Sequence, residues 1–266
     1  MTGRLRGKVA LVTGAGSVGP GWGNGRATAA VFAREGARVF LVDRDEASLA
    51  DTARLIRAEG GTVATRIADV TDAESIGASV DACVAELGGL DVLVNNVGGS
   101  RPGGVGELAL TEWNAQLQVN LTSVFLGCKA AVAVMRAAGG GSIVNISSAS
   151  GLRYTGAAQV GYASAKAAIR QLSRVTAVQY AADGIRVNTV VPGQLHTPMV
   201  EARLAGQRAG GDVAALLAQR QARIPLGFMG DGRDTAYAAL FFASDESRFV
   251  TGAEIVVDGG MTVRCD

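Results

Sequence analysis

The stretch that decides the fold prediction is TGAGSVGPGWGNGRAT, residues 13–28, which directly follows the apolar run VALV. It contains six glycines, and the residues after it read as a helix. Glycine backbone lets a charged group approach closely, and a helix N-terminus favours negative charge. A strand, a glycine-rich turn and a helix in this order are typical of a phosphate-binding turn.

Two alignments of this loop compete. In the first, residues 14–19 form a literal GxGxxG, and the helix begins near Pro20 and runs through three more glycines. Each of those would cost about 1 kcal/mol relative to alanine. In the second, residues 18–22 bulge outward and the helix begins at Asn24 or Gly25, with Asn24 as its N-cap. The second is favoured. Whether Trp22 in the bulge covers a ligand or only packs stays open.

Short β-branched runs alternate with helical patterns along the chain. The apolar runs lie at 8–13, 37–42, 62–68, 90–95, 141–147, 185–191 and 253–259. The helical segments lie at 26–36, 45–59, 71–88, 107–138, 160–183 and 233–244. This order predicts an α/β fold, a doubly wound Rossmann-like parallel sheet flanked by helices in a single domain over 1–266. Residues 193–230 interrupt the rhythm, and we expect them to cover the substrate.

Composition narrows the class of function. A formal net charge of +1 without a basic cluster argues against nucleic-acid binding. Three dispersed cysteines and one histidine support neither a disulfide framework nor a metal site. There is no run of 18 apolar residues, and the apolar segment near the start is too short for a signal peptide, so we expect a cytoplasmic protein without a membrane span.

The motif YASAK, residues 162–166, places Tyr162 and Lys166 four positions apart on one face of a predicted helix. A tyrosine is a poor proton-transfer group at neutral pH because its pKa is near 10. An adjacent ammonium favours the phenolate and lowers that pKa. Tyr154, Tyr180 and Tyr237 have no lysine at the same spacing. The pair is therefore a candidate acid/base centre.

The order of motifs resembles that of the short-chain dehydrogenase/reductase family over nearly the whole chain. After the glycine loop come ADVTD (68–72), NNVGG (95–99), Asn120 in QVNLTS, NISSASG (145–151), YASAK, VPGQLHTPM (191–199) and VTGAEIVVDGG (250–260). The resemblance implies a seven-stranded parallel sheet and transfer of hydride between NAD(P) and a small or medium secondary alcohol or ketone. It also implies a homotetramer assembled through residues 107–138 and 160–183.

The resemblance also implies a role for four side chains. Tyr162 is the general acid/base, Lys166 holds the nicotinamide ribose, and Asn120 supports a water that connects Lys166 to solvent. Ser148 hydrogen-bonds the substrate oxygen, although it lies 14 positions before Tyr162, one more than is common in the family. Ser147 is the rival, and only one of two adjacent strand side chains can face the substrate.

The predicted cofactor is NAD. Asp43 lies 18 positions after Gly25, close to the spacing of an acid that binds the adenosine ribose, and it would repel the 2′-phosphate of NADP. Arg44 could bind that phosphate, so NADP stays the less favoured alternative. The loop and the end of the second strand give the predicted cofactor-binding residues Gly14, Gly16, Ser17, Gly23, Asn24, Asp43 and Arg44. The resemblance implies that Asp69, Val70, Asn96, Val97, Gly98, Tyr162, Lys166, Pro192, Gly193, Leu195 and Thr197 also bind the cofactor.

The substrate itself is less defined by the sequence. Candidate substrate residues are Ser150, Arg153, Tyr154, Gln159 and His196. If Arg153 points inward, a substrate with a carboxylate is implied; the alternative is a solvated arginine. Two other functions are alternatives: a catalytically inactive dinucleotide-binding sensor or scaffold, and a sugar-nucleotide epimerase or dehydratase. The complete set of four catalytic positions disfavours the first, and the short stretch after Gly259 disfavours the second.

Overall fold

A computed structural model describes residues 3–204, 206 and 210–265. Its seven strands form one parallel sheet in the order β3-β2-β1-β4-β5-β6-β7. The strands are β1 (Val9–Thr13), β2 (Arg38–Asp43), β3 (Val63–Ile67), β4 (Val92–Asn95), β5 (Gly141–Ile146), β6 (Ile185–Pro192) and β7 (Glu254–Val257). The predicted seven-stranded Rossmann-like sheet is confirmed.

Helices cover both faces of the sheet. They are α1 (Asn24–Arg34), α2 (Glu46–Ala58), α3 (Ala73–Leu87), α4 (Leu110–Leu117), α5 (Ser123–Ala138), α6 (Val160–Gln179), α7 (Val213–Gln221) and α8 (Gly232–Ala243). Successive residues of a strand point to opposite faces of the sheet. Ala10 and Val12 therefore pack with α1, α2 and α8. Val9 and Leu11 pack with α3, α5 and α6 on the other face. Burial on both faces explains the almost continuous apolar runs of the strands.

The strand order reverses between β1 and β4, and both strands end at the same edge of the sheet. In doubly wound sheets this switch point opens a crevice at the carboxyl ends of the strands. The glycine-rich loop follows β1, and the predicted catalytic and nicotinamide loops follow β4, β5 and β6. The topology therefore gathers segments that are far apart in sequence.

The segment predicted to cover the substrate contains α7, which the sequence pattern did not predict, and a π-helical turn over Val200–Leu204. Its residues 205 and 207–209 lie outside the described part of the chain. Leu204, Val213 and Leu217 pack around the buried side chains of Val200 and Leu216 in a small separate core. This segment thus has apolar packing of its own beside the main sheet.

The continuous helical segment Leu110–Ala138 differs from what the sequence suggested. It was predicted as one regular helix, but a π-helical turn at Gln118–Thr122 separates α4 from α5. By length and composition the segment could cross a membrane, although buried core helices pass the same test. Here Ala131 and Met135 are fully buried in the core against the sheet. Its apolar character is therefore explained by packing.

Candidate active site

The glycine loop follows the bulged alignment. The strand β1 ends at Thr13 and α1 begins at Asn24, so the loop runs outward between them. The proposed cap was wrong: Gly23, with an extended backbone, is the N-cap, and Asn24 is already helical. Gly23 offers no side chain to the first turn of α1. The Asn24 Oδ1 atom is buried and has no hydrogen-bond partner in the described part of the chain.

The bulge packs against other parts of the protein. The Trp22 ring lies between two guanidinium groups, with Arg34 Cζ 5.5 Å and Arg233 Cζ 5.6 Å from its centroid. The carbonyl oxygen of Trp22 accepts a hydrogen bond from the backbone amide of Gly232 at 3.3 Å. Trp22 thus joins the helices α1 and α8, which is the packing alternative left open by the sequence.

Close packing of backbone fixes the start of the loop. Gly14 has φ +63°, and a Cβ at Gly25 would overlap the Gly14 carbonyl oxygen. The Asn96 side chain donates to the carbonyl oxygens of Thr13 and Gly14, each at 3.1 Å. Ser17 Oγ donates to the Gly19 carbonyl at 2.7 Å. The Asn96 side chain therefore holds the start of this loop in place. The sequence did not predict this contact.

Asp43 lies at the end of β2, beside this loop. Its Oδ2 accepts a hydrogen bond from the Gly16 amide at 2.9 Å, and its Oδ1 accepts one from the Arg44 amide at 2.8 Å. A Cβ at Gly16 would overlap Ser48 Oγ and lie 2.9 Å from Asp43 Oδ2. The Arg44 side chain is exposed. The predicted ribose acid is thus held directly against the glycine loop.

The predicted adenine residues differ in accessibility. Asp69 is exposed after β3, and its Oδ1 accepts hydrogen bonds from the backbone amide and hydroxyl of Thr71. These bonds keep the pKa of Asp69 below its usual range because they favour the carboxylate. Val70 is buried in the core, so its side chain is occupied by packing. Of these two residues, Asp69 is therefore the one whose side chain is exposed.

Asn120 lies in the π-helical turn between α4 and α5. Its fully buried side chain donates to the carbonyl oxygens of Gln116 at 2.9 Å and Gly99 at 3.0 Å, and accepts from the Gly99 amide at 3.0 Å. Single π-helical turns within α-helices are frequent at functional sites. This turn ties the helix to the loop after β4.

Lys166 is buried beneath Tyr162 on α6. Its Nζ donates to the Ile146 carbonyl at 2.9 Å and lies 5.8 Å from the centroid of the Tyr162 ring. Burial lowers the pKa of Lys166 to about 8 because it disfavours the ammonium. A Cβ at Gly98 would lie 2.9 Å from Lys166 Nζ and 2.8 Å from Asn120 Oδ1. Because Gly98 has no side chain, Lys166 and Asn120 can both approach its backbone.

The two candidate serines face different ways. Ser147 is buried, and its hydroxyl donates to the Lys166 carbonyl at 2.7 Å. Ser148 is partly exposed, and its Oγ accepts a hydrogen bond from the Ser150 amide at 3.2 Å. Adjacent residues at a strand end point to opposite sides. The Ser148 hydroxyl is therefore the one available to a ligand.

The loop after β6 is positioned largely through its backbone. Pro192 ends the strand, and Gly193 lies so close to Asp258 that a Cβ would overlap it. Leu195 is buried, and the Thr197 carbonyl accepts from the Val200 amide at 2.8 Å. The imidazole Nε2 of the exposed His196 lies 3.1 Å from Glu201 Oε1. His196 thus pairs with a neighbouring surface carboxylate.

Two cavities, of about 310 Å³ and about 290 Å³, are lined in part by residues of the segment 153–159, which follows Ser148 in the chain. Arg153 and Tyr154 line the first cavity, and Gln159 lines the second. Ser150 Oγ accepts a hydrogen bond from Gln159 Nε2 at 2.7 Å. His196 is absent from the described residues that line either cavity. Four of the five predicted substrate residues are thus grouped together.

Sequence reasoning missed several residues in the cavity walls. Both cavities are lined by Thr155, Gly156, Gln194 and Arg223. Thr155 follows Arg153 and Tyr154 closely, and Gln194 lies between two predicted nicotinamide residues, so proximity in sequence could have indicated both. Arg223 follows α7, in a segment with no recognisable motif, and nothing in the sequence could have indicated it.

The residues present fit a nicotinamide dinucleotide. In the loop a Cβ at Gly16 would overlap Ser48 Oγ, and one at Gly14 would be tightly packed against Asn96 and Val97. The loop leads directly into the N-terminus of α1 at Asn24, and the backbone N–H groups of a helix N-terminus favour phosphate. At the other end of the crevice, Lys166 Nζ offers donors suited to ribose hydroxyls. Polar groups are therefore available along the whole crevice.

Comparisons with known proteins agree with this arrangement. A family model described as enoyl-(acyl carrier protein) reductase matches residues 20–262. The crystal structure of a short-chain dehydrogenase/reductase from Burkholderia xenovorans is 62% identical and has a TM-score of 0.96, covering 99% of this chain and 100% of that one.

Two curated relatives act on six-membered ring alcohols according to their names. The 2,5-dichloro-2,5-cyclohexadiene-1,4-diol dehydrogenase of Sphingobium indicum is 41% identical over 263 residues, 99% of each chain. The cis-4-hydroxycyclohexanecarboxylate dehydrogenase of Sinomonas cyclohexanicum is 43% identical over 256 residues, 96% of each chain.

Proposed function

The chain belongs to the short-chain dehydrogenase/reductase family, and from that premise we propose that it is an NAD-dependent enzyme that interconverts a cyclic secondary alcohol and its ketone. The observation that carries the proposal is the convergence of Tyr162 with the buried Lys166, whose Nζ lies 5.8 Å from the Tyr162 ring centroid. This pairing supplies a proton acceptor and a positive charge at one place.

In the proposed reaction Tyr162 accepts the hydroxyl proton of the substrate. The nearby Lys166 ammonium stabilises the phenolate, which makes proton transfer feasible near neutral pH. Ser148 orients the reacting oxygen through its available hydroxyl, while Ser147 anchors the strand end to α6. Asn120 holds the loop after β4 through both groups of its amide. In ketone reduction Tyr162 returns the proton.

The proposed cofactor is NAD. When bound, the nicotinamide supplies the acceptor for the substrate hydride. The glycine loop and the N-terminus of α1 would hold the pyrophosphate, and Asp43 would accept hydrogen bonds from the adenosine ribose. The carboxylate of Asp43 also opposes a 2′-phosphate, which favours NAD over NADP. Arg44, exposed next to it, supports NADP as the alternative.

The proposed substrate is a ring alcohol. Two relatives that share about 40% of their residues with this chain are named for six-membered ring alcohols. Each cavity, at about 300 Å³, is at the lower end of the usual range for small-molecule sites. A single ring with small substituents suits this volume better than a long aliphatic chain.

We also propose a cytoplasmic homotetramer. The helices α5 and α6 carry exposed apolar side chains, among them Phe125 at 50% and Val178 at 79% exposure. Exposed apolar surface on packed helices is typical of protein interfaces. Light scattering should give about four times the 27.0 kDa mass of the chain, and a monomer would contradict this assembly.

The test of the function is NAD reduction with cyclohexanol and 4-methylcyclohexanol, followed by absorbance. Replacing Tyr162→Phe should lower kcat by at least about 100-fold because it removes the acid/base group, while NAD affinity measured by calorimetry stays within a few-fold. Tyr237→Phe, a change at an exposed tyrosine of α8, is the matched control. Wild-type turnover by the Tyr162→Phe variant would refute the assignment.

A further inference from the structure

We propose that the substrate is a cyclic alcohol bearing a carboxylate, and that the guanidinium groups of Arg153 and Arg223 bind this carboxylate. The inference rests on the proposed function and specifies the substrate class for the same site. Its basis is the first cavity, whose lining includes three arginines: Arg153 from the loop after β5, Arg223 from the turn after α7, and Arg264 from the segment after β7. A guanidinium matches a carboxylate with two parallel hydrogen bonds.

Arg153 is exposed and Arg223 is half-buried, and both are oriented by backbone carbonyls without being neutralised by any carboxylate that the structure describes. Arg153 Nη1 donates to the Arg264 carbonyl at 2.9 Å, and Arg223 Nη1 donates to the Thr155 carbonyl at 2.8 Å. None of the ion pairs found in residues 3–204, 206 and 210–265 involves either arginine. By contrast, Arg170 is paired with Glu254 at 2.7 Å. A carbonyl fixes a guanidinium without cancelling its charge, so the cavity favours an anion.

Glycine makes room for one of these groups. Gly156 has φ +83°, and a Cβ there would overlap Arg223 Nη1 and lie 2.7 Å from its Nη2. The guanidinium therefore lies directly on bare backbone, in the wall shared by both cavities. A side chain at this position would displace Arg223. The close packing explains how a half-buried arginine keeps one orientation.

A second observation points to a polar ligand in the same place. Gln194 is 7% exposed and lines both cavities, and its Oε1 is buried without a hydrogen-bond partner in the described residues. Its Nε2 donates weakly to the Thr155 carbonyl at 3.4 Å. Buried acceptors are normally satisfied. A hydroxyl on the substrate ring would satisfy this oxygen, which makes a hydroxylated ring acid the best match.

The arginine-lined end of the first cavity is connected to Ser148 through a series of hydrogen bonds. Thr155 Oγ1 lies 3.0 Å from Ser150 Oγ, and the Ser150 amide donates to Ser148 Oγ at 3.2 Å. The Thr155 carbonyl in turn receives Arg223. This series of contacts links Ser148 to Arg223 in the wall of the cavity. In the proposed complex the ligand places its alcohol at Ser148 and its carboxylate at Arg223.

The test compares cis-4-hydroxycyclohexanecarboxylate with its methyl ester, which keeps the ring and loses the charge. For the wild type we expect kcat/KM to be at least about tenfold higher for the acid, mostly through KM. Arg223→Ala should lower kcat/KM for the acid by about 10- to 100-fold and reduce the ratio of acid to ester towards one. Arg223→Lys keeps the positive charge but loses the paired N–H donors of the guanidinium. Its kcat/KM for the acid should lie between the values of the wild type and Arg223→Ala.

The control is Arg66→Ala, which removes an exposed arginine from the edge strand β3 and should leave the ratio unchanged. Thermal unfolding checks that each variant is folded. Calorimetry with cyclohexanecarboxylate in the presence of NAD adds a readout without turnover, and binding should weaken in both Arg223→Ala and Arg153→Ala.

The outcomes separate the two proposals. If neutral ring alcohols are oxidised but the acid has no advantage, or Arg223→Ala lowers both substrates equally, the carboxylate inference alone is wrong. If none of the alcohols is oxidised while cyclohexanecarboxylate binds through Arg223, the proposed function is wrong and the anion site stands. If cyclohexanecarboxylate does not bind to the wild type, the anion site is wrong.

Discussion

The hydroxyl of Ser147 donates a hydrogen bond to the backbone carbonyl of Lys166 at 2.7 Å. This contact ties the end of β5 to the middle of α6 and uses the serine that points into the core. Its neighbour, Ser148, is partly exposed. Two chemically identical residues consequently have different surroundings and different hydrogen-bond partners.

Ser148→Ala should lower kcat by about 100-fold, because the substrate oxygen loses its hydrogen bond, and should leave the melting temperature nearly unchanged. Ser147→Ala should lower the free energy of unfolding by about 1 kcal/mol through loss of a buried hydrogen bond, with a much smaller change in kcat. Steady-state kinetics and thermal unfolding of both variants check this. The reverse pattern would assign the substrate contact to Ser147.

The stability of the protein should depend on the protonation of Lys166. Below pH 8 the side chain is charged in both the folded and the unfolded state, and the folded state bears the full cost of burial. Above that pH the folded state releases the proton first, while the unfolded chain, with a pKa near 10.5, retains it. The unfolding free energy contributed by this group therefore rises with pH, by at most about 3 kcal/mol.

Lys166→Met should remove this dependence. Urea unfolding without cofactor at pH 7.0 and pH 9.5 should show wild-type stability rising relative to the variant by about 2 kcal/mol. Lys129→Met, at an exposed lysine of α5, is the matched control and should follow the wild type. Parallel pH profiles for wild type and Lys166→Met would show that the ammonium is not destabilised by burial.

Close packing in the glycine loop predicts a contrast between two of its glycines. A Cβ at Gly16 would overlap Ser48 Oγ and crowd Asp43, whereas one at Gly19 would be 3.5 Å from Pro198 Cβ, an ordinary contact. Gly16→Ala should therefore weaken NAD binding by about tenfold, or about 1.4 kcal/mol, and Gly19→Ala should leave it within about twofold. Fluorescence titration with NADH measures both, and equal affinities would contradict the proposed pyrophosphate site.

Asp43 should control the choice between the two nicotinamide cofactors. Asp43→Asn removes the charge that opposes a 2′-phosphate and leaves Arg44 free to attract it, so the ratio of kcat/KM for NADP to that for NAD should rise about tenfold or more. Asp51→Asn, on the exposed side of α2, provides the control. An unchanged ratio would mean that the adenosine ribose binds elsewhere.

Much of the fold could be predicted because it depends on local pattern. Strands buried on both faces require nearly continuous apolar runs, and the helical spacing of Tyr162 and Lys166 places them on one face without further information. The predicted helix boundaries were less accurate, since the helix predicted at 107–138 begins at Leu110. It also contains a π-helical turn, and the extra residue in such a turn leaves no mark on the side-chain pattern. The turn carries Asn120, the residue that braces Gly99.

The sequence by itself determined the parallel sheet, the glycine loop and the Tyr162–Lys166 pair, because each depends on residue type at fixed short spacing. Only the tertiary structure decided which serine faces the crevice, how Asn96 braces the loop and that Arg153 and Arg223 meet in one cavity. These relations join residues from different elements. They depend on the order of the strands in the sheet and on the side of the sheet or helix to which each side chain points. Neither can be read from the spacing of residues along the chain.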